Sequence, residues 1–237
     1  CIQFLSAERD EPFFAVASFI NPHDICYAHD ARAERDPRLD HVDELYRQAR
    51  DLPDELLPPL PDNFSVPDYE PEGFFMREDA TSVTPSGTMS ATYEERDWRI
   101  YRWIYGRLTE RVDQKIGRIL SALKARGIEE DTLVIFVSDH GNMHGNHRLA
   151  SKGVFYEESV RVPFILKQKD LLPAGRSDST HLVSTGLDIL PTCCDAAGIS
   201  PPEGLQGISQ LPAALGEAEA PTHEFVVSEN GHGRMWR

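Results

Sequence analysis

The chain is poor in basic residues: it has 24 lysines and arginines against 39 aspartates and glutamates, and its formal net charge is −15. This balance argues against nucleic acid as a partner, because a phosphate backbone needs a basic surface. An anionic small molecule remains a possible substrate, since a few local cations and a metal ion can set the electrostatic potential inside a cleft. Long apolar runs are lacking as well, and no segment approaches the roughly 20 residues that span a bilayer.

Cysteine is sparse, and the four present include no C-x-x-C pair of the kind that binds zinc. Cys193 and Cys194 are neighbours, and neighbours rarely bridge, so reduced thiols are the simplest interpretation and the redox compartment stays open. The first residues lack the basic and apolar regions of a secretory signal. Because the sequence starts with Cys1 instead of Met, we do not expect it to start at a natural N-terminus.

The length and the hydrophobic content of the chain are those of a folded protein. A length of 237 residues with 40% hydrophobic content can bury a sizeable core. Apolar runs predict strands over 13–20, 132–137, 159–167 and 224–228. Apolar residues at steps of three or four predict a long helix over 92–126, ended by Gly127, and a shorter helix over 185–197. A long helix that feeds a buried strand indicates an α/β fold with a mostly parallel sheet flanked by helices.

The chain reads as one partial domain, 1–237, with three distinct segments. Residues 29–90 are rich in proline and acid, which predicts an irregular excursion with short helices at most, one of them within 33–50. Within it, Asn63-Phe64-Ser65 fits a glycosylation sequon, a triplet that carries no weight without a secretory context. The long helix occupies 91–127, and a polar loop follows the strand within 132–152.

Polar groups follow two of the predicted strands at their carboxyl ends. Asp139 and His140 come directly after the run 132–137, and His144, His147 and Lys152 follow in the same loop. Ligands of open α/β sheets bind beyond the carboxyl ends of strands, and an adjacent carboxylate and imidazole can bind one metal ion. His23 stands in the same way after the run 13–20.

Several separate elements of the sequence resemble the sulfatase family of the alkaline-phosphatase-like superfamily. The order and spacing agree for Ser138-Asp139-His140-Gly141, Gly145-Asn146-His147, Lys152, Tyr156-Glu157-Glu158 and Arg161-Val162-Pro163. The run from Ser18-Phe19 to Pro22-His23 is similar to the family element S-F-x-x-P-H. Asp188 to Thr192, Ala197 to Ile199 and Gly204 to Ser209 resemble a later family segment that we interpret as scaffold.

The resemblance implies a site that hydrolyses a sulfate ester with a formylglycine nucleophile and a calcium ion, or another divalent cation. Asp139 and His140 match the later pair of metal ligands, although a hard cation prefers oxygen to imidazole nitrogen. Lys152 matches the lysine that pairs with sulfate oxygens. His23 matches the histidine near the leaving oxygen, where it suits a general acid, and Asp24 could orient it. His147 either faces the substrate or caps the loop.

The sequence departs from the family pattern at the nucleophile. Family members carry it in a C-x-P-S-R or C-x-A-x-R element, and neither Cys1 nor Cys26 is followed by the required arginine. The early paired aspartates of the metal site are missing too. The resemblance therefore covers the middle and later part of a family member, with the formylglycine expected upstream, and we expect the chain to be truncated at both ends.

Three functions fit these observations. The first is a metal-dependent sulfatase acting on a sulfate-ester small molecule or carbohydrate, of which this chain by itself should be inert. The second is a phosphonate monoester or phosphodiester hydrolase with the same loop pattern. The third is a catalytically dead binding domain. Family habit favours an extracytoplasmic or lysosomal location, and the oligomeric state stays open.

Overall fold

The computed structural model describes residues 1–30, 40–69, 93–230 and 233–237. The contacts between residues divide the chain into two units. Unit 1 comprises Cys1–Leu123 and Asn142–Ser159, and unit 2 comprises Lys124–Gly141 and Val160–Arg237. The chain therefore passes from unit 2 to unit 1 within the polar loop, between Gly141 and Asn142.

Unit 1 is helical in the part that the structure describes. Its helices are α1 (Ile2–Ser6), α2 (Asp40–Arg50), α3 (Glu95–Arg126, whose last turn belongs to unit 2) and α4 (Glu157–Val160, ending at the boundary). Three 3-10 turns complete it: His23–Asp30, Asp54–Leu56 and Asn146–Arg148.

Helix α3 supplies a large part of the buried core of unit 1. Its sequence repeats apolar residues at steps of three or four along one side, and these are buried: Trp98, Tyr101, Ile104 and Leu108. Acidic residues occupy the first turn and basic residues the last, which is the arrangement that the helix dipole favours. Gly127 follows with φ +70°, and its N–H donates to the Lys124 carbonyl, so the helix ends as the sequence predicted.

The core of unit 1 lies between α3, α2 and the turn that carries His23. Members from α2 are Val42, Leu45 and Ala49, and the His23–Asp30 turn contributes Ile25 and Ala28. Burying a side chain of this size contributes about 1.5–3 kcal/mol each. The turn is therefore fixed by packing against α2 and α3, which in turn fixes the position of His23 at its first residue.

Two arginines of α3 tie down the proline-rich segment 51–69. Arg99 donates from Nε to the Pro58 carbonyl at 2.9 Å and from Nη2 to the Leu57 carbonyl at 2.8 Å. Arg96 donates to the Leu52 carbonyl at 2.8 Å. A segment with many prolines forms few backbone hydrogen bonds of its own, so its carbonyl groups need donors from elsewhere.

Unit 2 contains two antiparallel strand pairs and two helices. The strands are β1 (Val134–Val137), β2 (Phe164–Lys167), β3 (Val227–Asn230) and β4 (Gly233–Trp236), and the helices are α5 (Ile189–Ala196) and α6 (Leu211–Leu215). Strand β1 pairs with β2 in the register Val134↔Lys167 to Val137↔Phe164, and β3 pairs with β4 as a hairpin. Strand β1 ends immediately before Ser138, so it delivers Asp139 and His140 as predicted.

The prediction of a mostly parallel sheet is wrong for the described residues, where both strand pairs are antiparallel. Residues 13–20 form no strand, and Phe14 is 73% exposed. The run 132–137 is not buried on both faces either, since Phe136 is 40% exposed. Apolar composition indicates which residues favour a strand, but a strand also requires a hydrogen-bonded neighbour, and composition does not reveal whether one is present.

The helix and strand ends differ from the predictions by a few residues. Ser159 lies in α4, so β2 starts at Phe164, after Pro163, which has no N–H to give to a ladder. Helix α5 starts at Ile189, later than predicted, because residues 184–188 form a turn around the Asp188 carboxylate. No helix within the described ranges is long and apolar enough to cross a membrane.

Candidate functional site

His23 opens the 3-10 turn of unit 1 and is exposed. Its Nδ1 lies 3.8 Å from the Cys26 sulfur, one turn further along, and its ring meets the Tyr27 ring edge-on with centroids 6.3 Å apart. The imidazole is thus supported by the turn from one side and reaches solvent from the other. This is a suitable position for a histidine that must exchange a proton with a substrate.

The carboxylate next to His23 has a different partner from the one that the sequence indicated. Asp24 Oδ2 lies 3.0 Å from Nε2 of His41, on α2. The interpretation that Asp24 orients His23 is therefore wrong, because the partner of Asp24 is His41 on α2. The Cys26 side chain contacts the His23 ring instead.

Lys152 lies within electrostatic reach of the same turn. Burial is the largest cause of the raised pKa of the Cys26 thiol, the charge of Lys152 opposes it, and the charge of Asp24 adds to it. Cys26 is therefore the residue that relates the two: its sulfur contacts the His23 ring, and its pKa responds to the charge of Lys152. That His23 and Lys152 act on one substrate stays a prediction.

His147 is held on two sides within unit 1. Its ring stacks on Tyr156 with centroids 4.1 Å apart and planes 21° apart. Its backbone N–H donates to the Asn63 carbonyl at 2.8 Å, and Nδ2 of Asn63 lies 3.3 Å from His147 Nε2. The residue adopts φ +54°, an uncommon backbone region for a side chain of this kind. Asn63 is half-buried and engaged in these contacts, so the sequon is not a free surface asparagine.

His144 belongs to a buried cluster that the sequence reasoning did not single out. Its ring packs on Tyr105 with centroids 4.5 Å apart, and its backbone N–H donates to Asn142 Oδ1, which also accepts from the Tyr101 hydroxyl. Burial, with the charge of Arg102, lowers the pKa of His144 to about 4. Burial also raises the pKa of Tyr101. His144 is therefore a neutral packing residue. Its place in the same loop as His147 did not distinguish it from a candidate site residue.

Asp139 and His140 form a pair in unit 2. Asp139 Oδ1 accepts from the His140 N–H at 3.0 Å, and Asp139 Oδ2 lies 3.5 Å from His140 Nε2. Burial raises the pKa of the Asp139 carboxyl, but the charge of His140 and the hydrogen bonds outweigh it, and the pKa is lowered overall. The carboxylate is 83% exposed, so it is open to a ligand.

The pair fits two ligands of a metal ion by its donor chemistry. His140 Nδ1 lies 2.8 Å from the Gly141 carbonyl, which can only accept, so Nδ1 carries a proton, and in the neutral ring the Nε2 lone pair can bind a metal ion. A backbone carbonyl on the other ring nitrogen is the usual support of a metal-bound histidine. In the described part of the chain no group of three histidine, cysteine or acidic side chains is arranged to hold a metal. The pair is thus a partial ligand set.

The predicted site residues accordingly fall into two groups. His23, His147 and Lys152 belong to unit 1, whereas Asp139 and His140 belong to unit 2. A cleft of about 310 Å³ lined by Phe19, Lys115 and others in unit 1 contains none of them. That all five residues serve one reaction centre stays a prediction.

Comparison with known proteins gives agreement over most of the chain. The sequence profile of the family described as "Sulfatase" matches residues 1–199. The chain is similar to a Delta 4,5-hexuronate-2-O-sulfatase of Bacteroides thetaiotaomicron, with 32% identity over 230 residues, which are 96% of this chain and 45% of the relative. The chain therefore spans about half the length of the curated relatives that it matches.

Solved structures agree with the sequence match. A 2-O GAG sulfatase superposes with a TM-score of 0.79 and 30% identity over 100% of this chain and 50% of that chain. The phosphonate monoester hydrolase of Agrobacterium radiobacter superposes with a TM-score of 0.65 and 26% identity over 95% of this chain and 42% of that chain. The fold is therefore alkaline-phosphatase-like, of the sulfatase type.

Proposed function

The chain belongs to the sulfatase family, as its motifs predicted, and from that premise we propose that the whole protein hydrolyses sulfate esters of a carbohydrate. The observation that carries the proposal is the position of Cys26 in unit 1, where its sulfur contacts the His23 ring and its pKa responds to the charge of Lys152. A carbohydrate substrate is supported by two similar proteins, one named for 2-O-sulfatase activity on a hexuronate and one for activity on GAG.

In this reaction Lys152 binds the sulfate group. The ester has one negative charge spread over its non-bridging oxygens, and a compact ammonium group offers three donors to them. Its attraction strengthens as charge moves onto those oxygens and the leaving oxygen in the transition state.

His23 is the proposed general acid. An alkoxide of a sugar is a poor leaving group, so it needs a proton as the ester bond breaks. The His23 imidazole is exposed at the start of its turn, so it can take up a proton from solvent and release it to the leaving oxygen. The contact with Cys26 limits rotation of the ring without giving it a competing carboxylate.

Asp139 and His140 are proposed as two ligands of a divalent cation. Asp139 contributes an exposed oxygen and His140 contributes Nε2, with the Nδ1 proton held towards the Gly141 carbonyl. When bound, the cation neutralises sulfate charge and activates the nucleophile. Calcium usually has six to eight oxygen ligands, so the remaining ligands come from outside this pair. A formylglycine nucleophile is proposed upstream of this region in the whole protein, as the resemblance to the family implies.

Hydrolysis of a phosphonate monoester is the second candidate. It is supported by the similarity to the Agrobacterium radiobacter enzyme. A phosphonate monoester and a sulfate ester have the same tetrahedral shape and the same single charge, so a lysine and a metal ion suit both. The two functions differ in the preferred substrate and not in the residues that bind the anion.

The test is the rate of the whole protein on an aryl sulfate and on an aryl phosphonate monoester. We expect the sulfate to be preferred, and Lys152→Ala to reduce kcat/KM by about 10²–10³-fold, the effect of removing one preorganised charge donor. Lys169→Ala, which removes a lysine paired with Glu130 on the surface of unit 2, is the matched control and should leave the rate unchanged. Unchanged kinetics of Lys152→Ala would contradict the assigned role, and a preference for the phosphonate would favour the second candidate.

A further inference from the structure

Asn63 makes three contacts that converge on His147. Its carbonyl accepts from the His147 N–H at 2.8 Å, and its Nδ2 lies 3.3 Å from His147 Nε2. The same Nδ2 donates to Glu158 Oε1 at 2.7 Å. One side chain thus links a turn of the proline-rich segment to the loop that carries His147 and to helix α4.

The contact with Glu158 determines which way the Asn63 amide points. A carboxylate oxygen can only accept, so the atom 2.7 Å from it must be the amide nitrogen and not the amide oxygen. The reversed amide would place two acceptors against each other at that distance. An amide nitrogen carries two hydrogens, so it can donate one to Glu158 and the other to a second acceptor.

That second acceptor is His147 Nε2, and this determines the tautomer of the imidazole. A ring nitrogen that accepts carries no proton, so the proton of the neutral ring is on Nδ1. We propose that Asn63 is a positioning residue that holds His147 as the neutral, Nδ1-protonated tautomer. Stacking on Tyr156 fixes the plane of the ring, and Asn63 fixes its protonation.

This proposal decides between two chemical roles for His147 and rests on the proposed function. The Nε2-protonated form would offer a basic nitrogen at Nδ1, whereas the Nδ1-protonated form offers an N–H donor there. Sulfate oxygens only accept hydrogen bonds, so the form that Asn63 selects suits binding of an anionic ester and not proton abstraction. His147 is then a donor to the substrate, and Asn63 acts on the substrate through it.

The experiment is long-range ¹H–¹⁵N correlation spectroscopy of the histidine side chains, recorded at neutral pH on the ¹⁵N-labelled 237-residue chain. His147→Gln removes one set of signals and thereby assigns them. We expect the His147 signals to have the pattern of a ring with the proton on Nδ1. The Nε2-protonated pattern, or that of a doubly protonated ring, would overturn the proposal without any variant of Asn63.

Asn63→Asp tests the cause. The two side chains have the same shape, but aspartate has no hydrogen to donate, while the backbone carbonyl to His147 is retained. We expect the His147 pattern to change to a ring protonated on Nε2, alone or on both nitrogens. Asn142→Asp is the matched control in the same unit, because the contacts of Asn142 with Tyr101 and His144 are made by its Oδ1, which aspartate keeps, and it should leave the His147 signals unchanged. An unchanged pattern in Asn63→Asp would overturn the proposal.

A further measurement separates this proposal from the proposed function. In the whole protein, Asn63→Asp should raise KM for the sulfate ester, with a smaller effect on kcat, since His147 binds the ester and does not transfer its proton. If the tautomer is as proposed but the whole protein hydrolyses no sulfate ester, the proposed function fails while the assignment of Asn63 remains.

Discussion

Nε2 of His41 lies 3.0 Å from Oδ2 of Asp24, so helix α2 is joined to the 3-10 turn that carries His23 by a side-chain pair as well as by core packing. Both side chains are mostly buried. The pair therefore joins a helix of the proline-rich region to the turn that carries the proposed general acid. Its contribution to the free energy of unfolding can be measured.

We predict that His41→Ala lowers the free energy of unfolding by about 1 kcal/mol, the net value of a hydrogen bond of this kind. Urea unfolding followed by tryptophan fluorescence measures it. Arg47→Ala on the same helix is the control, because Arg47 makes an exposed ion pair with Glu44 and should change stability by about 0.5 kcal/mol at most. Equal effects of the two substitutions would show that the Asp24 contact adds nothing to stability.

A second prediction concerns the guanidinium of Arg99. Arg99 donates to the carbonyl groups of Pro58 and Leu57 from two nitrogens at once, which the single ammonium group of lysine cannot reproduce. We expect Arg99→Lys to lower the free energy of unfolding by about 1–3 kcal/mol, because carbonyl groups are left without a donor.

The proline-rich segment should also become more accessible in Arg99→Lys, which limited proteolysis can measure. The matched control is Arg107→Lys on the same helix, since Arg107 pairs with Glu110 on the surface and lies over the Trp103 ring, and a lysine can keep both contacts. Its effect should be within about 0.5 kcal/mol. If proteolysis of the segment is unchanged in Arg99→Lys, the prolines alone are sufficient to hold it.

The sequence was informative about the fold where the signal is local. The periodicity of α3 and the terminal Gly127 determined a 32-residue helix almost to its ends. The pairing of β1 with β2 is a contact between segments about 30 residues apart, and an apolar run indicates nothing about the identity or direction of its neighbour. This is why the antiparallel arrangement and the unpaired run 13–20 were not predicted.

The same distinction applies to the candidate site. Motif spacing identified Asp139, His140 and Lys152, because these residues are close in sequence and their order matches a family. The contacts of Asn63 with His147 and of Asp24 with His41 join residues 84 and 17 positions apart, and no pattern in the sequence marks them. The family match therefore predicts which groups react, whereas the contacts of Asn63 with His147 and of Asp24 with His41 become visible only in the structure.

A third prediction is weak calcium binding by the 237-residue chain. Asp139 and His140 offer two donors, whereas calcium sites with dissociation constants near 1 mM already use six or more oxygens. We expect a dissociation constant above about 1 mM in calorimetric titration, with the residual binding lost in Asp139→Ala. Asp131→Ala, an exposed carboxylate before β1, is the control. Submillimolar binding that survives Asp139→Ala would mean that the cation is held elsewhere.

A fourth prediction follows from the buried imidazole of His144. Its pKa is lowered from 6.5 to about 4 by burial and by the charge of Arg102. Between these values the unfolded chain binds a proton that the folded chain does not. The contribution of His144 to the free energy of unfolding is therefore fully present above pH 6.5 and is lost as the pH falls towards 4. Since each pKa unit corresponds to about 1.4 kcal/mol, the loss approaches about 3 kcal/mol.

Urea midpoints at pH 7 and pH 5 measure this effect. We expect His144→Asn to reduce the difference between the two midpoints, because asparagine tolerates the φ of +52° found here and does not titrate. Tyr105→Phe keeps the aromatic ring beside His144 and should retain the full difference. An undiminished pH dependence in His144→Asn would assign the acid sensitivity to other groups.

The last prediction concerns Asp188, a fully buried carboxylate in unit 2. It accepts hydrogen bonds from four donors in three separate segments: the Ser184 and Ile208 N–H groups, Gln210 Nε2 and His223 Nε2, at 2.8–3.0 Å. Asp188→Ala leaves all four donors without an acceptor, and we expect the free energy of unfolding to fall by about 3–5 kcal/mol. Asp195→Ala is the control, since this exposed carboxylate accepts from Ser209 and should change stability by about 1 kcal/mol at most. Denaturant unfolding of both variants compares them directly, and similar losses would mean that water replaces the buried carboxylate.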